Sequence, residues 1–224
     1  MVRGVGKAEQ TRAQLAEVAE RLFAERGIEA VSLREIGASA GQRNNSVAHY
    51  HFGSRQGLID AIFERRMAPI DRRRHAMLDD MVRSGRSGDV RSLCEALVLP
   101  LVFALDEQEG YRYYARFLAQ VYTAPGIDFL NDGNHSVTGA LRQVTSGLEA
   151  ALPELPPLIR RERIALAGGF VVHSLADRER ARHPRLELSS EAFAANLVDS
   201  TVGLLCAPVA AATRRAVQTY DKSA

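Results

Sequence analysis

Apolar residues recur at helical spacing through most of the chain, and Gly, Pro and Ser mark the breaks between runs. Leu15, Val18, Ala19, Leu22 and Phe23 fall at i, i+3, i+4, i+7 and i+8, one stripe on a helix whose other faces carry Glu17, Glu20, Arg21, Glu25 and Arg26. Gly27 ends that helix, and Leu33, Ile36 and Ala40 share one face of a second, short one. Beyond Ser54, the residues Leu58, Ile59, Ile62, Phe63 and Met67 form another stripe. Pro69 removes a donor and crowds the preceding turn, so a kink or interruption is expected there, with helicity resuming over 71–82. Residues 84–89 form a turn cluster. Apolar helical spacing returns over 90–105, with Pro100 inside, and 111–122 is the most aromatic segment. A loop is expected over 126–133, then a stripe of Val137, Leu141, Val144, Leu148 and Leu152, and a break at Pro153, Pro156 and Pro157. Residues 158–181 and 191–205 read as two long helices, and the tail after Cys206 as a partial helix that frays. Strand-like alternation and internal repeats are absent. The pattern predicts an all-α protein.

The segment 31–55 carries the most specific local chemistry. Ser32 and Glu35 have capping-box spacing: the Ser32 hydroxyl accepts from the Glu35 N–H, and the Glu35 carboxylate reaches back to the Ser32 N–H. Val31 and Ile36 flank the cap as a hydrophobic staple. Gly41 suits a left-handed stop. Asn44, Asn45 or Ser46 can cap the next helix, and Ser54 the one after it. Helix, Gly-containing turn, short polar helix and a further cap make a helix-turn-helix, on a homeodomain-like three-helix core with the first helix as support.

Between these caps lie Gln42, Arg43, Asn44, Asn45, Ser46, His49, Tyr50 and His51. Asn and Gln pair with adenine and Arg with guanine, while Ser and Tyr donate to phosphates. No acidic residue occurs between Ile36 and Ile59, as an anionic groove requires. The bland alternative is a solvated polar loop. Arg72, Arg73 and Arg74 invite a second nucleic-acid reading, but Asp71, Asp79 and Asp80 flank them and a solvated helix face is favoured.

Composition changes this picture little. The chain has 224 residues, 46% of them hydrophobic, enough to bury a sizeable core. Its net charge of +2 is too small to argue for nucleic acid, so that argument rests on local distribution. Cys94 and Cys206 lie far apart in apolar stretches and read as buried free thiols of a reduced compartment. No signal-like or membrane-length apolar run is visible, and a cytoplasmic protein is expected.

Thr11, Arg12, Ala16, Ala19, the run 22–27, the run 31–37, Ala40, Gly41, the run Tyr50–Arg55 and Leu58 together resemble the N-terminal domain of the TetR/AcrR family of bacterial transcriptional regulators. Tyr50-His-Phe-Gly-Ser-Arg55 is the most specific piece, and the match spans roughly 8–63. The resemblance implies a DNA-binding domain over residues 1–55 and a TetR-type all-helical ligand-binding and dimerisation domain over 56–224. It implies a homodimer on a palindromic double-stranded operator, released by a small apolar or amphipathic effector, with no cofactor, metal or membrane. The expected DNA-binding residues are Arg12, Ser32, Leu33, Arg34, Gln42, Arg43, Asn44, Asn45, Ser46, His49, Tyr50, His51 and Arg55, with Tyr50 and Arg55 on phosphates and Arg43, Asn44, Asn45 and His49 on bases. The chain departs from the family in a turn before Tyr50 that is one residue longer, and in Arg55 where many members carry Lys.

For the effector, Phe103, Tyr113, Tyr114, Phe117, Val121, Tyr122, Phe129, Phe170 and His173 are the expected pocket residues, ordinary core being the alternative. For the dimer, the expected contacts are Gly168, Val171, Leu175, Phe193, Leu197, Thr201 and Leu204; Gly168 and Gly169 lie mid-helix, where close helix approach would explain them. Burial inside one subunit is the alternative. Two other functions stay open on sequence alone: a DNA-binding regulator with no effector, and, more remotely, an enzyme using His49, His51 or His173, for which no Glu or Cys stands at ligand spacing beside the His pair.

Overall fold

Ser32, Ser54 and Ser189 each start a helix by accepting a backbone N–H three residues on, at 3.2, 3.0 and 3.2 Å. In the computed structural model, which describes residues 6–44, 46–107, 111–124, 139–180 and 188–221, such starts and the Gly and Pro breaks divide the described chain into ten helices. These are α1 (Lys7–Arg26), α2 (Leu33–Ser39), α3 (Val47–Phe52), α4 (Arg55–Arg83), α5 (Val90–Glu107), α6 (Tyr114–Thr123), α7 (Gly139–Ala151), α8 (Pro157–Arg180), α9 (Ser190–Cys206) and α10 (Ala211–Asp221). No strand occurs among the described residues. The expected loop at 126–133, Asn45 and Phe129 lie outside them.

The apolar stripe of α1 is buried as its spacing requires: Leu15, Ala19 and Phe23 are fully covered, along with Ile36, Ala48 and Leu58 from the next three helices. Complete burial of a residue such as Phe23 stabilises by about 1.5–3 kcal/mol. α1 has a second neighbour, α6, against which the Phe23 and Phe117 rings stack at 6.3 Å. One apolar cluster therefore runs from Leu15 to Leu205. Around α6 and α8 it is closed by α4, α5 and α7, with α9 covering α5 and α8.

Several expectations change. Pro69 does not interrupt α4, which runs unbroken for 29 residues. Beside it, the Tyr111 hydroxyl donates to the Arg66 carbonyl at 2.9 Å, one residue on from the Arg65 carbonyl that a residue-69 N–H would have served. The tail after Cys206 forms α10, and Cys206 is exposed while Cys94 is buried. The Arg72–Arg74 run is not uniformly solvated. Arg74 is 1% exposed and enters the core.

A buried charge joins α1 to α4. Arg66 Nε donates to Glu20 Oε2 at 2.8 Å, both side chains being almost inaccessible. Glu20 Oε1 has no partner, and burial raises its carboxyl to about 7 against the pull of Arg66. No single helix among the described residues is long and apolar enough to cross a membrane.

Candidate nucleic-acid interface

The polar tip of the three-helix unit is held from below by contacts that leave its outer face free. Gln14 Nε2 donates to the Ala40 carbonyl at 3.3 Å, tying α1 to the end of α2. Gly41 has φ +70, the left-handed turn expected of it. The capping box forms by half: Ser32 accepts from Glu35, but the Glu35 carboxylate turns to Arg26 of α1 and not to the Ser32 N–H. Asn44 Oδ1 accepts the Ser46 N–H at 2.9 Å, so the turn into α3 is closed by an Asx side chain, while Ser46 stands at the N-cap without a side-chain bond.

Only six residues long, α3 buries Ala48 and turns His49 and Tyr50 outward, Tyr50 being 83% exposed. Arg43, Asn44 and Ser46 are exposed at its start, and Gln42, His51 and Phe52 are half-buried. The Tyr50 ring meets His51 edge-on at 5.3 Å, and the Arg12 guanidinium lies 5.2 Å over the Phe52 ring. Arg34 is exposed on α2, whereas Leu33 is half-buried against the core. Arg12 of α1, Arg34 of α2, Arg43, Asn44 and Ser46 of the turn, and His49 and Tyr50 of α3 are all exposed. Arg55 is differently employed. It pairs with Glu29 at 2.8 Å and donates to the Val31 carbonyl at 3.4 Å, bracing the loop before α2.

One residue that positions this tip escaped the sequence reading. Gly57, in the first turn of α4, sits so close to the end of α3 that a Cβ there would lie 2.2 Å from the Phe52 carbonyl oxygen. The available signal was a Gly inside a helix, where it costs about 1 kcal/mol relative to Ala.

The expected pocket residues are redistributed. Tyr114, Phe117 and Val121 are fully buried core, and Tyr113 stacks with Arg116 at 5.2 Å. Phe103 lies 42% exposed in an open groove between α5 and α9, and Phe170 is 36% exposed. The aromatic bulk of Tyr114 and Phe117 fills the core. Of the expected residues that the structure describes, Tyr122 alone borders a partly open cavity of about 50 Å³ among α4 to α8 with mainly aliphatic walls. His173 touches it only through an edge contact with the Tyr122 ring at 6.4 Å.

The expected dimer residues also turn inward. Val171, Leu175, Leu197 and Thr201 are each at most 3% exposed within this chain, and Phe193 and Leu204 are half-buried against its core. Gly168 and Gly169 do mark a close approach, but to Tyr122: added Cβ atoms would lie 3.2 Å from its hydroxyl and 3.1 Å from its ring. The outward stripe of α8 is instead Leu166, Phe170 and His173, at i, i+4 and i+7, with Leu166 60% exposed.

The family model for bacterial regulatory proteins of the tetR family matches residues 15–62, and that for the tetracyclin repressor-like C-terminal domain matches 95–207. The HTH-type transcriptional repressor KstR2 of Rhodococcus jostii is 35% identical over 100 residues, 42% of this chain and 43% of that one. The repressor of the same name from Mycobacterium tuberculosis is 37% identical over 62 residues, 28% of this chain and 30% of that one. The chain thus spans less than half the length of these relatives. In three dimensions, NalD, the secondary repressor of the MexAB-OprM multidrug efflux pump in Pseudomonas aeruginosa, superposes with a TM-score of 0.55 and 21% identity, covering 88% of this chain and 95% of that one. That likeness shows a shared all-helical fold.

Proposed function

The chain belongs to the TetR family of bacterial regulatory proteins, and from that premise we propose that it is a transcriptional repressor that binds a palindromic operator as a homodimer and is released by a small, mainly apolar effector. The observation that carries the DNA reading is the outward face of α3 with its approach: Arg43, Asn44, Ser46, His49 and Tyr50 exposed together, with no acidic residue from Ile36 to Ile59. Arg43, Asn44, Asn45 and His49 read base edges, while Tyr50, Arg12 and Arg34 meet phosphates. Arg55 positions the unit through Glu29 and would have to release that pair to reach a phosphate.

Residues 1–55 form the reading unit, completed by the buried Leu58, Ile59 and Ile62 of α4, and 56–224 the effector and dimer region. The homodimer uses the outward stripe of α8, Leu166, Phe170 and His173, because Leu166 and Phe170 are large apolar side chains left exposed in the single chain. The effector enters the cavity among α4 to α8.

Genome-wide mapping of bound DNA tests this reading. The expected result is a small set of sites sharing an inverted repeat. Arg43→Ala should relax preference at particular positions, by about 1–3 kcal/mol for a bidentate contact. Arg55→Ala should lower stability and leave the salt slope unchanged. Uniform low occupancy with no shared sequence would contradict the proposal.

A further inference from the structure

Three helices that wall the cavity each have a backbone carbonyl that accepts from a side chain of a neighbouring segment. In α5, Pro100 has no N–H for the Ala96 carbonyl four residues back. Arg74 of α4 supplies the donors instead, Nε to Ala96 at 3.2 Å and a terminal nitrogen to Leu97 at 3.5 Å. In α4, Tyr111 serves Arg66 beside Pro69. In α8, the Tyr122 hydroxyl donates to the Ala165 carbonyl at 2.5 Å beside Gly168 and Gly169. Arg74 and Tyr122 both border the cavity.

Among the described residues, Arg74 is the only charged one on the cavity wall. Its nearest carboxylate, Asp71, stands 4.0 Å away. That carboxylate is occupied elsewhere: its two oxygens accept the Ala140 and Leu141 amides at the start of α7, each at 3.3 Å, and one of them lies 3.6 Å from His75 Nε2. The remaining terminal nitrogen of Arg74 donates only to the Met67 thioether at 3.4 Å, a weak acceptor. Burial holds the guanidinium down to about 10, so it stays cationic at neutral pH. A buried cation with a loosely held counterion and a poorly used donor, at the edge of an apolar space, is built for an anion.

We propose that the effector is an amphipathic carboxylate whose head takes the Met67-facing donors of Arg74 and whose hydrocarbon part opens the space between α5, α7 and α8. This rests on the effector reading above and adds the chemical class of the ligand. The present space of about 50 Å³ is far below the roughly 300 Å³ of a small-ligand pocket, so the walls must part. They part at least cost at Pro100, where the α5 ladder lacks a donor, and at Gly168–Gly169, where the α8 backbone carries no side chain. Arg74 lies on α4, whose first turns are core to the reading unit, so a ligand that draws on Arg74 acts directly on the helix that carries α3.

Thermal shift and calorimetry on the full chain, with octanoate against octanol, test this. A ligand of the native state raises the melting temperature by mass action. Octanoate should bind about tenfold more tightly than octanol, as expected for one charge-assisted contact. Arg74→Gln keeps an amide donor for the α5 carbonyls and removes the charge; the two probes should then bind within about twofold of each other. Arg74→Lys should keep the preference for the acid. Circular dichroism checks both variants, and the comparison in the unaltered protein stands without them. Octanol binding as tightly as octanoate, or an acid preference that survives in Arg74→Gln, overturns the proposal and leaves the effector reading intact. Binding of neither probe, nor of decanoate and decanol, overturns both.

Discussion

The two halves of α4 are held by opposite means. Its N-terminal half belongs to a small unit braced by helix caps and solvent-exposed ion pairs, such as Arg26 with Glu35 and Arg55 with Glu29. Its C-terminal half is held by buried polar side chains that reach across to other helices, Arg74 to α5 and Asp71 to α7. Exposed pairs are each worth about 0–1 kcal/mol. A buried charge whose partner is removed costs about 3–5 kcal/mol. The reading unit therefore depends on a few backbone approaches and a compact core, and tolerates changes at its surface. The cavity region depends on single polar groups and tolerates little.

The largest effect should come from the cavity side. Arg74→Ala leaves the Ala96 carbonyl without a donor and Asp71 with less counter-charge, and should destabilise the chain by about 3–5 kcal/mol in chemical denaturation. A loss below about 1 kcal/mol would place Arg74 among ordinary surface residues. On the reading side, Gly57→Ala should matter most, because its Cβ would meet the Phe52 carbonyl at 2.2 Å. A net loss of about 2 kcal/mol is expected, a fall of roughly 4–8 °C in melting temperature, with operator affinity falling further as α3 is displaced.

The Glu20–Arg66 pair lies where the two regions meet and sharpens the contrast through pH. Burial raises the Glu20 carboxyl from its ordinary value to about 7. A carboxyl raised in the folded state contributes stability that is complete below its ordinary value and is lost as pH rises through about 7. Melting temperature should thus fall between about pH 5 and pH 8, and Glu20→Gln should flatten that slope. An unchanged slope would assign the dependence to other groups. The smallest effect belongs to the surface: Ser32→Ala should cost about 1 kcal/mol through the lost cap, and Arg26→Ala less than that. If Arg26→Ala cost more than Ser32→Ala, the exposed pairs would be structural and the comparison would fail on that side.

The same contrast explains what could be read from sequence. Caps and turns are decided by neighbours in the chain, so Ser32, Gly41, Asn44 and Ser54 declared the reading unit, and only the Glu35 carboxylate went to a partner nine residues away that spacing does not show. The cavity is a tertiary property. Tyr114 and Phe117 were attractive lining because they are aromatic, yet their volume is what fills the core. Arg74 was grouped with Arg72 and Arg73 by sequence adjacency. Its helical position says otherwise: it follows Phe63, Met67 and Ile70 on the buried stripe of α4, at i+11 from the first of them. A charge on an apolar stripe, and a Gly in a helix's first turn, were the two signals left unused. The wide apolar stripe of α9 has neighbours inside the chain as well: α5 and α8 both pack on α9 and bury Leu197 and Thr201, which spacing alone does not show.

The central claim is that two copies of this chain present two α3 tips to one duplex. Selection of bound sequences from a random pool by the purified full chain tests it most directly. The account predicts an inverted repeat whose half-sites lie about one helical turn or slightly more apart. Recovery of asymmetric sequences only, or of none above background, would contradict it.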